Sequence, residues 1–364
     1  MVRDEIPTPA LLLDLDAFES NVATMAAFVA ARGKSFRPHG KTHKCPEIAR
    51  RLVAAGAVGA CTARLSEAEV FADHGVPGLL VTTAVVGPHK AERAAALSAR
   101  APDTIFVADD AGAVRVLEAA AARQGAPMQV AVDLYFGRTG VPPGAPARDL
   151  ARVIASCQHL RFAGLQAYDA AASHTLGFAA RQARTAGTMA QAVATRELIE
   201  EGGLPCTMVS AGSTGSYRFD AELAGITELQ PGSFIFMDVD YARIGGAGGA
   251  EAYTDFRTAL TVVTTVISVL GDEAIVDGGY KAFATDRPFG PEPIDEPGLK
   301  YTWAGDEHGR LDLRHAARRL VVGDRVAFRV PHCDPTVNLY DEIHALRGED
   351  VEDVWRIAAR GKSQ

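Results

Sequence analysis

Phe36-Arg37-Pro38-His39-Gly40-Lys41-Thr42-His43-Lys44-Cys45 is the stretch on which the reading of this chain turns. The 364 residues include seven lysines, and three of them lie between positions 34 and 44. Pro38 excludes a helix interior, whereas Pro46 suits the first turn of a helix. The segment therefore reads as an extended strand ending at Lys41 or soon after, a turn, and a helix from Pro46 to Ala55. A lysine where a strand feeds a helix is fixed by packing while its amine faces a cavity. Such a lysine can hold a carbonyl cofactor as a Schiff base. An ordinary surface lysine is the competing reading, and the rest of the chain has to decide.

Outward from this stretch the pattern repeats. Short apolar runs at 59–63, 78–83, 104–108, 128–134, 161–168, 206–210 and 226–230 alternate with helical patterns such as Ala111 to Arg123 and Phe178 to Glu201. Asp16 with Glu19, and Ser66 with Glu69, read as capping boxes. Counting the lysine strand, eight short strands alternate with helices, the rhythm of a (β/α)8 TIM-type barrel. No G-x-G-x-x-G follows a strand and no P-loop is present, so dinucleotide and P-loop readings lack their signature. After Gly245-Gly246-Ala247-Gly248-Gly249 the pattern changes. The run from Thr258 to Val269 is β-branched and too long for a barrel strand, and further short strands follow without long helices. The expected fold is α/β: a (β/α)8 barrel over residues 16–245, with 1–15 and 246–364 forming a C-terminal antiparallel β domain. The residues from Val351 onward read as helical.

Composition narrows the class. Hydrophobic residues at 48% and charged residues at 23% describe a globular chain with ample core. A net charge of −8 without a basic run argues against nucleic acid or an anionic membrane as partner. No run of 18 apolar residues occurs, and the first residues lack the apolar core of a signal peptide. The five cysteines are scattered without a C-x-x-C pair, so a reduced cytoplasm is the expected location.

In a barrel the reactive groups sit at the C-terminal strand ends. Those ends supply Lys41, Arg64, Thr83, Arg138, Gln166 with Tyr168, the turn Ser210-Ala211-Gly212-Ser213-Thr214-Gly215-Ser216, and Gln230-Pro231-Gly232-Ser233. The two small-residue turns, on neighbouring strands, have amides and hydroxyls suited to a phosphate. Opposite a strand-one lysine they fit a phosphorylated carbonyl cofactor, pyridoxal 5′-phosphate. A second cluster is Arg329-Val330-Pro331-His332-Cys333-Asp334-Pro335. In an extended chain His332 and Asp334 share a face and Cys333 points away. An imidazole with a carboxylate suits Mn²⁺, Mg²⁺ or Co²⁺, and leaves positions for water and substrate. A His and an Asp merely satisfying a turn is the alternative.

Arg37 through Lys44 resembles the cofactor-lysine motif of the D-threonine aldolase and D-serine dehydratase family. Pro331-His332-Cys333-Asp334-Pro335-Thr336-Val337-Asn338-Leu339-Tyr340 resembles the metal motif of its aldolase branch. Supporting matches occur at Asp133 through Gly140, Gln166 to Tyr168, Ser210 to Gly215, Pro231 to Ser233 and Asp277 to Gly279. The resemblance implies an alanine-racemase-like fold and a homodimer with the active site at the subunit interface. It implies Lys41 as the cofactor lysine and Arg138 as a ring contact. Gln166, Tyr168, Gly212, Ser213, Thr214, Gln230, Gly232 and Ser233 would surround the cofactor. His332 and Asp334 would bind the metal, manganese being the ion expected. Apart from the resemblance, a bound water or a nearby histidine, His174 being the one chosen, is the candidate base. Racemases carry an arginine in place of Gln230. The dehydratase branch has His-x-Cys, whereas here the second residue is Asp334 and Cys333 is out of phase. Both departures favour cleavage of D-threonine and D-allo-threonine to glycine and an aldehyde. D-serine or D-threo-3-hydroxyaspartate dehydration, and a non-catalytic pyridoxal phosphate protein, are the alternatives.

Overall fold

The computed structural model describes residues 1–364. The chain divides into two compact units: residues 25–41, 46–232 and 362–364 form one, and residues 1–24, 42–45 and 233–361 the other. In chain order the strands are β1 (Ala10–Asp14), β2 (Ser35–Phe36), β3 (Cys61–Thr62), β4 (Leu80–Val81), β5 (Ile105–Ala108) and β6 (Met128–Asp133). They continue with β7 (Leu160–Ala167), β8 (Val209–Ala211), β9 (Glu228–Leu229), β10 (Leu260–Leu270), β11 (Glu273–Val276) and β12 (Glu292–Pro293). The last are β13 (Lys300–Trp303), β14 (Gly309–Asp312), β15 (Arg325–Arg329), β16 (Glu342–Arg347) and β17 (Asp350–Arg356).

The first of these units is the parallel barrel. Its eight strands run in the order β2-β9-β8-β7-β6-β5-β4-β3. A parallel bridge between His39 and Cys61 joins the first strand to the last in that order. The strands are short and apolar because both faces are covered, as parallel strands require; all four residues of β5 are buried. Cys61, Leu80, Ile105, Val107 and Ala131 pack into one cluster of this core.

The lysine strand is held on both edges. On one side Arg37 N donates to Leu229 O at 2.8 Å and His39 N to Pro231 O at 3.0 Å. On the other, Val58 N donates to Phe36 O at 3.0 Å and Cys61 N to Pro38 O at 2.9 Å. The chain then tightens into a 3-10 turn over Gly40–Thr42, and the helix Pro46–Ala54 follows. Gly40 is required by space: a Cβ there would lie 2.4 Å from the Phe71 ring and 3.1 Å from Cys61 O.

The second unit is a sheet domain. Its core includes Ile6, Ala10, Leu12, Val263 and Leu346. The long β10 pairs antiparallel with β1, β11 and β15, but β1 pairs parallel with β16, so the sheet is mixed rather than purely antiparallel.

Four local expectations are corrected here. Residues from Val351 form β17, not a helix, antiparallel to β16 across a turn at Gly348 with φ +61°. The first helix, Leu15–Ala30, starts directly after β1, and Asp14 Oδ1 accepts from Ala17 N at 2.9 Å, so Asp14 and not Asp16 supplies the cap. In the helix Leu65–Asp73 the carboxylate reaching back is Glu67, which accepts from Ala63 N at 2.8 Å and Arg64 N at 3.1 Å. Finally, residues 333–337 are a short helix with His332 at its N-cap, not an extended run. Pro335 lies in the first turn, where its missing N–H costs nothing.

Candidate active site

Two residues singled out in the sequence, Lys41 and Arg138, converge on the ring of a third, Tyr168. Lys41 Nζ lies 5.9 Å from the centroid of the Tyr168 ring, and the Arg138 guanidinium carbon lies 5.4 Å from it. These residues come from the ends of β2, β6 and β7, the C-terminal side of the barrel where barrel chemistry is built. Tyr168 Oη is 3.4 Å from Ser173 Oγ. His174 closes the short helix Ala170–His174 that carries Ser173, which puts it on the same side of the barrel.

The lysine turn has its own supports. Lys41 N donates to His39 Nδ1 at 3.4 Å, while His39 Nε2 lies 3.2 Å from Thr82 Oγ1. Thr82 Oγ1 donates onward to Thr62 O at 3.1 Å. With Nδ1 accepting, the proton of His39 belongs on Nε2, so this ring is a strut for the lysine turn.

Gln166 is locked from below: its Nε2 donates to Thr82 O at 2.9 Å and to Asp133 Oδ1 at 2.8 Å. Thr139 donates to the other Asp133 oxygen at 2.8 Å. Burial pushes the Asp133 carboxyl up from its ordinary range, and these two hydrogen bonds oppose it. The Gln166 amide oxygen is buried and has no hydrogen-bond partner. A buried acceptor of that kind is costly unless a ligand supplies the donor.

The turn after β8 is a cradle made of small residues. Gly212 adopts φ +80°, and a Cβ there would lie 3.0 Å from Asp220 Oδ2 and 3.2 Å from Leu229. Thr214 is fully buried. The Ser213 and Ser216 hydroxyls are 2.8 Å apart, and Ser213 N donates to Ser216 Oγ at 3.1 Å, which pins the turn. Asp220 beneath it is fully buried; burial raises its pKa to about 7, and hydrogen bonding from Ser216 opposes the rise. After β9, Gln230 is 3% exposed and Gly232 lies just beyond. Ser233 opens the sheet-domain unit, where its hydroxyl bonds to the Cys333 thiol.

Within the sheet-domain unit, His332 and Asp334 are half-buried and flank the fully buried Cys333. His332 Nδ1 bonds to Asp286 Oδ2 at 2.8 Å, leaving Nε2 as the nitrogen that can face a ligand. Cys333 N donates to Asp238 Oδ2 at 2.9 Å, and Thr336 Oγ1 donates to His332 O at 2.8 Å. Burial lowers the His43 pKa to about 3; the Cys45 amide and the nearby Asp334 charge oppose this, and the ring stays neutral at physiological pH. Burial likewise raises the Cys333 thiol, so it is not a thiolate. The residues missed by sequence reasoning are Asp286, Asp238 and Glu228, whose carboxylate is gripped by Arg37. Asp286 lies 46 positions from His332, and no local pattern joins them.

A parallel barrel with a lysine closing its first strand, a small-residue cradle at neighbouring strand ends and a separate sheet unit define the alanine-racemase-like class of enzymes. Residues 13–240 match the family model "Alanine racemase, N-terminal domain", and residues 259–346 match "Putative serine dehydratase domain". The chain is 38% identical over 365 residues to D-threonine aldolase of an Arthrobacter species, covering 99% of this chain and 94% of the relative. It is 36% identical over 367 residues to 3-hydroxy-D-aspartate aldolase of Paracoccus denitrificans, covering 100% and 94%. The crystal structure of D-threonine aldolase from Filomicrobium marinum superposes with a TM-score of 0.95 at 39% identity, covering 100% of this chain and 98% of that one. The chain belongs to this D-threonine and 3-hydroxy-D-aspartate aldolase family. Aldolases are carbon–carbon lyases, and that is the enzyme class of the chain.

Membership supports pyridoxal phosphate as cofactor. The barrel fits that group: a lysine amine beside an aromatic face, a glycine turn of positive φ and a buried amide oxygen awaiting a donor. His332 and Asp334 are donor types that a divalent cation takes, but no group of three or more His, Cys, Asp or Glu side chains is gathered to hold one. The His332–Asp286 hydrogen bond is of the kind that orients a ligating imidazole.

Proposed function

We propose that this protein is a metal-dependent pyridoxal phosphate lyase that cleaves D-configured β-hydroxy-α-amino acids. Its substrates would be D-threonine and D-allo-threonine, and its products glycine and an aldehyde, by a retro-aldol reaction. The observation that carries the reading is the convergence of Lys41 and Arg138 on the Tyr168 ring.

Lys41 Nζ would hold the cofactor, with Arg138 and Tyr168 beside it. Gln166 offers its amide oxygen, Gln230 lines the β9 end, and Gly212, Ser213, Thr214, Gly232 and Ser233 surround the phosphate. When bound, pyridoxal phosphate supplies an electron sink at Cα, and a divalent cation, Mn²⁺ foremost with Mg²⁺ or Co²⁺ as alternatives, supplies a Lewis acid for the substrate hydroxyl. His332 Nε2 and Asp334 hold that cation, and Asp286 fixes the imidazole. A water or His174 takes the hydroxyl proton. Lys41 would serve again as the amine that frees glycine. The working form is a cytoplasmic homodimer with its active site at the subunit interface; in keeping with a reducing compartment, all five cysteines are free, and no helix is long and apolar enough to cross a membrane.

The match of residues 259–346 to a serine dehydratase domain favours a second reading, in which the same cation makes the hydroxyl a leaving group. Incubation with D-threonine and D-serine, with and without EDTA, separates the two. Acetaldehyde and glycine, lost with EDTA and restored by Mn²⁺, are expected. Ammonia with a keto acid would establish the dehydratase, and no turnover would leave a non-catalytic cofactor protein.

A further inference from the structure

Beneath the barrel mouth runs a buried polar chain that the reaction as described does not use. Arg37 Nε and Nη2 grip the Glu228 carboxylate at 3.0 and 2.9 Å, with both side chains under a tenth exposed. The remaining guanidinium nitrogen donates to Gly78 O. Ser210, the register partner of Glu228 on β8, donates to Glu228 Oε1 at 2.6 Å. Gln230 Nε2 donates to Ser210 Oγ at 2.9 Å. Glu228 and Gln230 are two residues apart on one strand edge and so share a face.

Which way a side-chain amide points is ordinarily an assignment. Here the proton count decides it. Arginine is always charged and has no acceptor, and it donates to both Glu228 oxygens, so on this side the carboxylate is an acceptor only. The single Ser210 hydroxyl proton must therefore go to Glu228, which leaves Ser210 Oγ as an acceptor. Only the amide nitrogen of Gln230 can face it. The Gln230 oxygen is turned the other way, at the end of β9. In the ring of strands β9 lies between β2, which leads to Lys41, and β8, which leads to the glycine cradle.

We propose that Arg37, Glu228 and Ser210 form a positioning relay that fixes the Gln230 amide with its oxygen presented. Strand β9 then offers the bound cofactor an acceptor, and the cofactor's ring nitrogen is held protonated. The ligand half of this statement rests on the pyridoxal phosphate reading above; the relay half rests on the chain alone. Protonated, the ring nitrogen is the donor that such an acceptor selects, and a protonated ring draws electrons more strongly.

The test uses the holoenzyme loaded with pyridoxal phosphate carrying ¹⁵N in the ring. The expected nitrogen chemical shift is that of a pyridinium in the wild type and in Ser210→Thr, which keeps the hydroxyl. In Ser210→Ala it moves toward that of a neutral pyridine. In cofactor-free protein, exchange of the Gln230 side-chain amide protons is slow in the wild type and about tenfold faster in Ser210→Ala, the loss of one buried hydrogen bond. A neutral ring nitrogen in the wild type overturns the ligand half. Equal amide exchange in wild type and Ser210→Ala overturns the relay. A chain that takes up no pyridoxal phosphate overturns the functional reading and the ligand half together, while the amide exchange still judges the relay.

Discussion

The lysine end of β2 and the His332–Asp334 turn are held by different means. Lys41 is set by the main chain: hydrogen bonds to two neighbouring strands and a glycine pressed against Phe71 leave the turn one path. His332 and Asp334 are set by side chains: Asp238 accepts the Cys333 amide, Thr336 braces His332 O, and Asp286 orients the imidazole. The backbone hydrogen bonds that set the lysine turn do not depend on side-chain identity, so the path of the chain there is independent of most of its neighbours. A turn held by side chains changes with each of them.

The first way to break this contrast is to attack the barrel through a side chain. Glu228→Gln leaves Arg37 buried without its charge partner, and should destabilise the fold by roughly 3–5 kcal/mol, read as a large fall in Tm. A negligible fall would mean that the barrel interior does not depend on this pair. On the other side, Asp334→Ala should cut metal-dependent turnover by about two to three orders of magnitude while the bound-cofactor colour survives. Loss of colour together with activity would mean that the two regions are not separable in this way.

Asp220, below the cradle, sharpens the barrel side. Its folded pKa of about 7 lies above that of an unfolded aspartate, so the folded state holds the proton more tightly. This contribution is complete below the unfolded pKa and is lost as pH rises through about 7. Relative to wild type, Asp220→Asn should therefore gain about 2–3 kcal/mol on going from pH 5 to pH 8, seen in denaturant titrations at the two values. A difference independent of pH would place the titration elsewhere. The smallest effect is expected at Asp286→Ala, which should weaken Mn²⁺ binding by about 10–100-fold, with turnover recovered at high Mn²⁺. Unchanged Mn²⁺ affinity would remove Asp286 from the site.

The same contrast explains what could be read from the sequence. The barrel was legible because parallel strands buried on both faces leave short apolar runs, and because Pro38 and Pro46 bracket the lysine turn. The helix at 178–201 was legible from its length and pattern. The strand at 350–356 was not: Val351, Val354 and Trp355 have the spacing of a helix face, and only pairing with β16 makes them a strand. The turn at 332 reads as extended from the i, i+2 spacing of His332 and Asp334, whereas residues 333–337 close into a single short helical turn that no local periodicity marks. The relay from Arg37 to Gln230 joins residues 191 positions apart at its first step, and Asp286 reaches His332 across 46. Side chains that meet only through the fold leave no local signal.

The most direct test of the account is to reduce the holoenzyme with borohydride and map the labelled peptide. The account predicts the pyridoxyl group on Lys41 and nowhere else. A label on any other lysine, or none, would contradict it.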